Sequence, residues 1–275
     1  MSSGTMARVG VPVAILAGIV GLIVLGMFTP RGAGPQPANG GTTTTPTDPV
    51  PPVPDPATQN TDAAETPPAP VDRVTAQRAL FDAAILGDLA AMRAAISLGA
   101  PVDERAPATI EALAGLTPLM VAASHAGYEA VTMLIDAGAA VNARDAHGLT
   151  PLMHAADGEG QGAVAALIDA GADVNIRSAS GETALFFAAK AGAVANIARL
   201  LEADADVELS NAFGVTPLMA AAEEASVEAV MLLLNAGSPA DMTDNEGRTA
   251  LDRAVAREDE AGKMIAGLLR DALRP

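Results

Sequence analysis

The pattern of apolar and polar positions divides the chain into three stretches. Residues 9–28, VGVPVAILAGIVGLIVLGMF, form one apolar run without a charge. Twenty helical residues extend about 30 Å, the thickness of a bilayer's hydrocarbon core. The run therefore predicts one transmembrane helix or signal anchor behind a short N-terminal tail, residues 1–8. A cleaved signal peptide is the alternative, with export to the periplasm as its consequence. Such a peptide has an apolar region of about 7–15 residues and a small-x-small cleavage site, whereas this run is longer and is followed by TPRGAGPQP. Arg8 and Arg31 flank it, and the slight bias of positive charge keeps the N-terminus cytoplasmic and sends the remainder across the membrane. Residues 29–72, with TTTTPTDPVPPVPDP and TPPAP, have almost no bulky apolar side chains. They cannot bury enough surface to offset the entropy of ordering, so a disordered, Pro/Thr-rich, extended linker is expected.

From about Arg73 the pattern changes to dense Ala and Leu with glycine at intervals, and a period appears. TPLM at 117, TPLM at 150, TALF at 183, TPLM at 216 and TALD at 249 begin 33 residues apart. Fixed periods of this size mark stacked supersecondary units. Within each unit, Asp145 or Asp244 opens a turn closed by Gly148 or Gly247, the spacing of a β-turn. Thr117, Thr150, Thr183, Thr216 and Thr249 are placed to cap a helix, and Pro118, Pro151 and Pro217 stand at its first position, where a missing N–H costs least. The first helix carries paired small residues, Ala122–Ala123, Ala155–Ala156, Ala188–Ala189 and Ala221–Ala222. A second helix supplies larger apolar residues, such as Val131, Leu134 and Ile135. It stops at Gly138, Gly171 or Gly237, in the position of left-handed terminating glycines, with Asp204 in that place in one unit.

Aromatic residues make up only 2% of the chain, which suits closely packed helices better than sheets. A net charge of −17 argues against nucleic-acid binding and is suited to steering a basic partner. The absence of cysteine excludes disulfide and thiolate chemistry.

Together D-x-x-G-x-T-P-L, the alanine pair and G-A-D-V-N resemble ankyrin repeats over about residues 76–275. The resemblance implies an all-α ankyrin-repeat solenoid of stacked helix pairs with short β-turn fingers, occupying residues 73–275. Its units fall at about 76–108, 115–147, 148–180, 181–213, 214–246 and 247–275. The first lacks the T-P-L opening and the last ends on charged residues, as terminal repeats do. Where the family usually has His after T-P-L, this chain has Met120, Met153, Phe186, Met219 and Asp252, so apolar packing stands in for a polar network. The connection 103–116 is six residues longer than the period requires, and a short helix is expected around Ile110 to Leu113.

Catalytic chemistry finds little support. His125, His147 and His154 with Asp157 offer a nitrogen–oxygen ligand set in principle, but no H-E-x-x-H spacing ties them together. A metal-dependent enzyme using the three histidines is the remote alternative. Ser124 and Ser180 lack a G-x-S-x-G elbow, and Gly158, Gly160 and Gly162 lie between helices rather than after a strand. No cofactor is expected. The family resemblance instead implies protein binding through fingertips and first-helix ends. Matched onto this chain, these are Arg144, Ala146, His147, Leu149, His154, Arg177, Ser180, Glu182, Phe213, Val215, Asn245, Glu246 and Arg248. From the helix ends come His125, Asp157, Lys190, Glu223 and Glu224. The combined expectation is a monomeric, non-catalytic interaction scaffold or accessory factor, anchored by residues 9–28 in a bacterial inner membrane with extracytoplasmic repeats. A cytoplasmic-facing tether for a client protein is the alternative orientation.

Overall fold

A computed structural model describes residues 73–107, 113–158, 162–224 and 226–274. They fold into six antiparallel helix pairs. These are α1 (Arg73–Leu86) with α2 (Leu89–Ser97), α3 (Pro118–His125) with α4 (Tyr128–Asp136), and α5 (Pro151–Ala156) with α6 (Ala163–Asp169). The remaining pairs are α7 (Ala184–Ala191) with α8 (Val194–Glu202), α9 (Pro217–Glu223) with α10 (Val227–Asn235), and α11 (Ala250–Val255) with α12 (Glu260–Ala272). First helices stack on first helices and second on second, which builds one continuous layered core.

The five threonines cap their helices as the spacing predicts. Thr117, Thr150, Thr183, Thr216 and Thr249 each accept a hydrogen bond from the backbone N–H three residues on, at 3.2–3.3 Å. The alanine pairs are fully buried, as are Met120, Met153 and Met219, so apolar packing does occupy the place of the usual histidine. Asp252, in the last repeat, is exposed and returns its carboxylate to the Thr249 N–H at 2.8 Å. Asp204 takes the left-handed conformation, φ 61°, in the terminating position that glycine fills elsewhere.

Two expectations are corrected. Among the described residues no helix is long and apolar enough to cross a membrane. The longest, α1, has 14 residues, against about 20 needed. The transmembrane helix over 9–28, the tail before it and the linker over 29–72 lie outside the described residues. Nothing among the described residues places the chain at a membrane or in a bacterial envelope. The fingers also differ from the expected β-turn fingers in lacking any strand among the described residues. Each is a turn, with Gly148 N–H donating to Asp145 C=O at 3.1 Å in one case. Successive turns are joined by one backbone bond, such as Ala179 N–H to His147 C=O at 2.8 Å or Ala212 N–H to Ser180 C=O at 2.8 Å. A ladder needs such bonds repeated along both chains.

The longer connection is absorbed inside a finger. Ala106 N–H donates to Leu116 C=O at 2.8 Å and Gly115 N–H to Ala106 C=O at 3.0 Å. These reproduce the bonds Asp145 N–H to Leu149 C=O and Gly148 N–H to Asp145 C=O of the next finger. Ala106 thus holds the place of the turn-opening Asp, and the six extra residues follow it without disturbing the frame. Leu113 is buried, while Ile110 and the start of the expected short helix lie outside the described residues.

Candidate interaction surface

Four of the five fingers are organised around one side-chain oxygen. Asp145 Oδ1 accepts from the His147 and Leu149 N–H groups at 2.8 and 2.9 Å. Ser178 Oγ does the same for Ser180 and Glu182, Asn211 Oδ1 for Phe213 and Val215, and Asp244 Oδ1 for Glu246 and Arg248. Short polar side chains that bond the backbone two to four residues on hold a turn in this way.

Aspartate brings a second oxygen into the same buried place, and that oxygen needs a donor of its own. The fourth residue after the capping Thr supplies it. His154 Nε2 lies 3.0 Å from Asp145 Oδ2, and an Arg253 terminal nitrogen lies 2.6 Å from Asp244 Oδ2. Where the turn opens with Ala106, Ser178 or Asn211, the residue at the same place is Val121, Phe187 or Ala220. Acid is matched with a donor and non-acid with an apolar side chain in all five fingers. The pairing explains His154, whose side chain faces its own finger and is not a free groove contact.

Burial pushes the His154 imidazole below its ordinary value, and this outweighs the Asp145 hydrogen bond and the nearby Asp145 and Asp157 carboxylates, which pull it up. Neutral His154 with Nε2–H then donates to Asp145 at pH 7. Because the folded form disfavours the proton, the unfolded chain binds more protons just below the ordinary imidazole value of 6.5. The stability from neutral His154 is present above that value and is lost as pH falls through it. Measured by urea unfolding at pH 7.5 and 5.5, the native chain should weaken on acidification. His154→Phe should show a smaller change while losing about 1–3 kcal/mol at the higher pH, from the orphaned Asp145 oxygen. An equal acid response in both chains would remove His154 as its source.

The arginines of the fingertips are also engaged within the fold. An Arg105 terminal nitrogen donates to Arg144 C=O at 2.5 Å, Arg144 to Arg177 C=O at 2.7 Å, and Arg177 to Ser210 C=O at 2.6 Å. Asn245 Nδ2 donates back to Ala212 C=O at 3.1 Å. Each side chain ties one finger to its neighbour, so Arg144, Arg177 and Asn245 are inter-repeat ties as well as surface residues. His125 Nδ1 lies 3.0 Å from Val121 C=O in its own helix.

The last finger gathers the largest polar network. Asp244 receives Arg248 Nε at 3.0 Å and Arg253; Arg248 also meets Glu246 at 3.1 Å, and Arg253 reaches Glu223. Thus Glu246, Arg248 and Glu223 are brought together, through Asp244 and Arg253, which the pattern of fingertips did not single out. The place of Arg253 four residues after Thr249, matching His154 after Thr150, is the signal that marks it. Of the other expected contact residues, Ala146, His147, Ser180, Phe213, Asp157, Lys190 and Glu224 are exposed, and Leu149, Glu182 and Val215 are half-buried. Among the described residues no group of three or more His, Asp or Glu side chains is placed to hold a metal ion. The three histidines are not assembled into a centre.

A family model described as "Ankyrin repeats (3 copies)" matches residues 80–178, 119–211 and 185–271. No match to a curated protein was found. The ankyrin-repeat fold is a non-catalytic protein-interaction scaffold, and the matched stretches take in all or part of every one of the six helix pairs. With capped helix pairs, single-turn fingers and this match over most of its length, the chain belongs to the ankyrin-repeat family.

Proposed function

We propose that the chain is a non-catalytic scaffold that receives a protein partner on its fingertips and the adjoining first-helix ends. The observation that carries this reading is Phe213. It stands at a fingertip 66% exposed, although its own backbone is fixed by Asn211 and by the Asn245 N–H donating to its C=O. A rigidly held, solvent-facing aromatic is the kind of residue that anchors interfaces. His147 and Ser180 occupy the same place on the two preceding fingers and Glu246 on the next, so the four form one row. Leu149, Glu182 and Val215 lie beside them, half-buried.

Site-specific photo-cross-linking in producing cells tests the proposal. A cross-linker at 213 or 246 should capture one defined protein, and one at Arg93 on the outer helix α2 should not. Phe213→Asp should lower that capture about 30-fold, the loss expected for an anchor residue of about 2 kcal/mol. Equal capture from position 93 would defeat this placement of the surface.

A further inference from the structure

The edge of the stack opposite the fingers, where each first helix turns into its second, has a different character. Its exposed apolar residues are Leu86, 65% exposed, Tyr128, 45%, and Val194, 37%, with Leu89 and Val227 half-buried beside them. Tyr128, Val194 and Val227 hold the same place in their repeats, eleven residues after Thr117, Thr183 and Thr216. The turns touch one another. A methyl group added at Gly162 would fall 2.9 Å from Tyr128 Cβ, and one at Gly192 would fall 3.2 Å from Ser226 Cβ. Arg257 donates to Glu223 C=O at 2.6 Å across the last junction.

Carboxylates accompany this apolar row. Glu129, Asp157, Glu224 and Glu228 are exposed and make no side-chain hydrogen bond or salt bridge among the described residues. The cations nearby are fewer: Lys190, and Arg257, whose guanidinium is already held by Asp259 at 2.7 Å. The contrast with the fingers is physical. There Arg144, Arg177, Asp145, Asp244 and Arg248 satisfy one another or the backbone, whereas here these four carboxylates form no hydrogen bond or ion pair among the described residues.

From this juxtaposition we infer that the helix-turn edge docks a basic amphipathic helix, with apolar residues on one face and Lys or Arg beside them. Charge complementarity selects the basic partner. Spacing selects the helix: packed helices lie about 8–10 Å apart, and seven residues of an α-helix rise about 10.5 Å. Apolar residues at every seventh position therefore keep step with the repeats that carry Tyr128, Val194 and Val227. The inference rests on the scaffold reading and adds a second surface to it.

The test uses the full chain and a fluorescent helical peptide of about 21 residues, leucine at the first and fourth positions of each heptad and lysine elsewhere. A glutamate–leucine peptide of the same pattern is the comparison. In anisotropy titrations the lysine peptide binds and the glutamate peptide does not. Glu129→Lys with Glu228→Lys weakens binding about tenfold or more, as does Tyr128→Ser with Val194→Ser, while Phe213→Ala leaves it unchanged. Circular dichroism checks that each variant is folded. Should one not be, Glu224→Gln with Glu228→Gln replaces it, with a loss of about threefold. No binding of the lysine peptide, equal binding of the glutamate peptide, or a loss confined to Phe213→Ala would overturn the inference. Each of these leaves the fingertip surface standing, because cross-linking tests that separately.

Discussion

Gly181→Ala should lower the unfolding free energy by about 2–5 kcal/mol, and Gly247→Ala by only about 1–2 kcal/mol. Both glycines close a finger in the left-handed region, at φ 81° and 78°, so an L-residue at either meets the same backbone strain of about 1–2 kcal/mol. They differ in what surrounds them. A Cβ at Gly181 would lie 2.9 Å from an Arg177 terminal nitrogen and 3.1 Å from Ala212 N, while at Gly247 nothing lies within 4 Å. The Arg177 nitrogen is engaged with Ser210 C=O, and Ala212 N with Ser180 C=O. The added methyl therefore pushes against the bonds joining one finger to the next, a crowding penalty of about 1–3 kcal/mol. In a stack stabilised by nearest-neighbour contacts, loosening a central junction also broadens the transition. Urea denaturation of the two variants gives the comparison. Equal losses would mean that the finger junctions contribute nothing beyond local turn geometry.

Much of this architecture is legible without coordinates, because it is local or periodic. A Thr three residues before the amide it caps, a glycine at a left-handed turn and an alanine pair beneath the next repeat each follow from a few adjacent residues. Contacts that link places 9 or 33 residues apart are not legible in the same way. His154 reads as a groove residue when its column is viewed alone, since Val121, Phe187 and Ala220 in that column share no chemistry with it. Only beside the column of turn-opening residues does it become the partner of Asp145. Arg144 and Arg177 likewise read as surface cations, and their bonds to main-chain carbonyls of the following finger leave no composition signal. The expected β-turn fingers carry no strand among the described residues for a related reason: turn residues specify a turn, but ladder pairing depends on how closely two fingers run together. The apolar edge at Tyr128 and Val194 leaves only a shared place in the period as its mark in the sequence, because isolated exposed apolar residues are common and only stacking shows them as an edge.

Arg253→Ala should destabilise the last repeat by about 3 kcal/mol, and Asp244→Asn should rescue most of that loss. The Asp244 side chain is 1% exposed and that of Arg253 9%, and removing one partner of a buried pair leaves the other charge uncompensated, at about 3–5 kcal/mol. The low end applies because Arg248 Nε still meets the same carboxylate. Desolvation would raise the Asp244 carboxyl, but the Arg248 and Glu246 amides and the Arg253 and Arg248 guanidiniums together outweigh it and hold it at about 2. A depressed carboxyl contributes stability that is whole above its unfolded value of about 3.9 and is lost as pH falls through about 2. Acid unfolding of the native chain should therefore steepen in that window, and in Asp244→Asn it should flatten. The double variant Asp244→Asn, Arg253→Ala installs the pair that the preceding finger already uses, Asn211 with Ala220. There Asn211 Oδ1 alone satisfies the Phe213 and Val215 amides, and no buried oxygen calls for a cation. The double variant should accordingly be more stable than Arg253→Ala alone, with a coupling of about 1–3 kcal/mol in a double-mutant cycle. Additive losses would show that Arg253 acts through Glu223 and packing, and that the matching of acid with donor across the five fingers does not govern their stability.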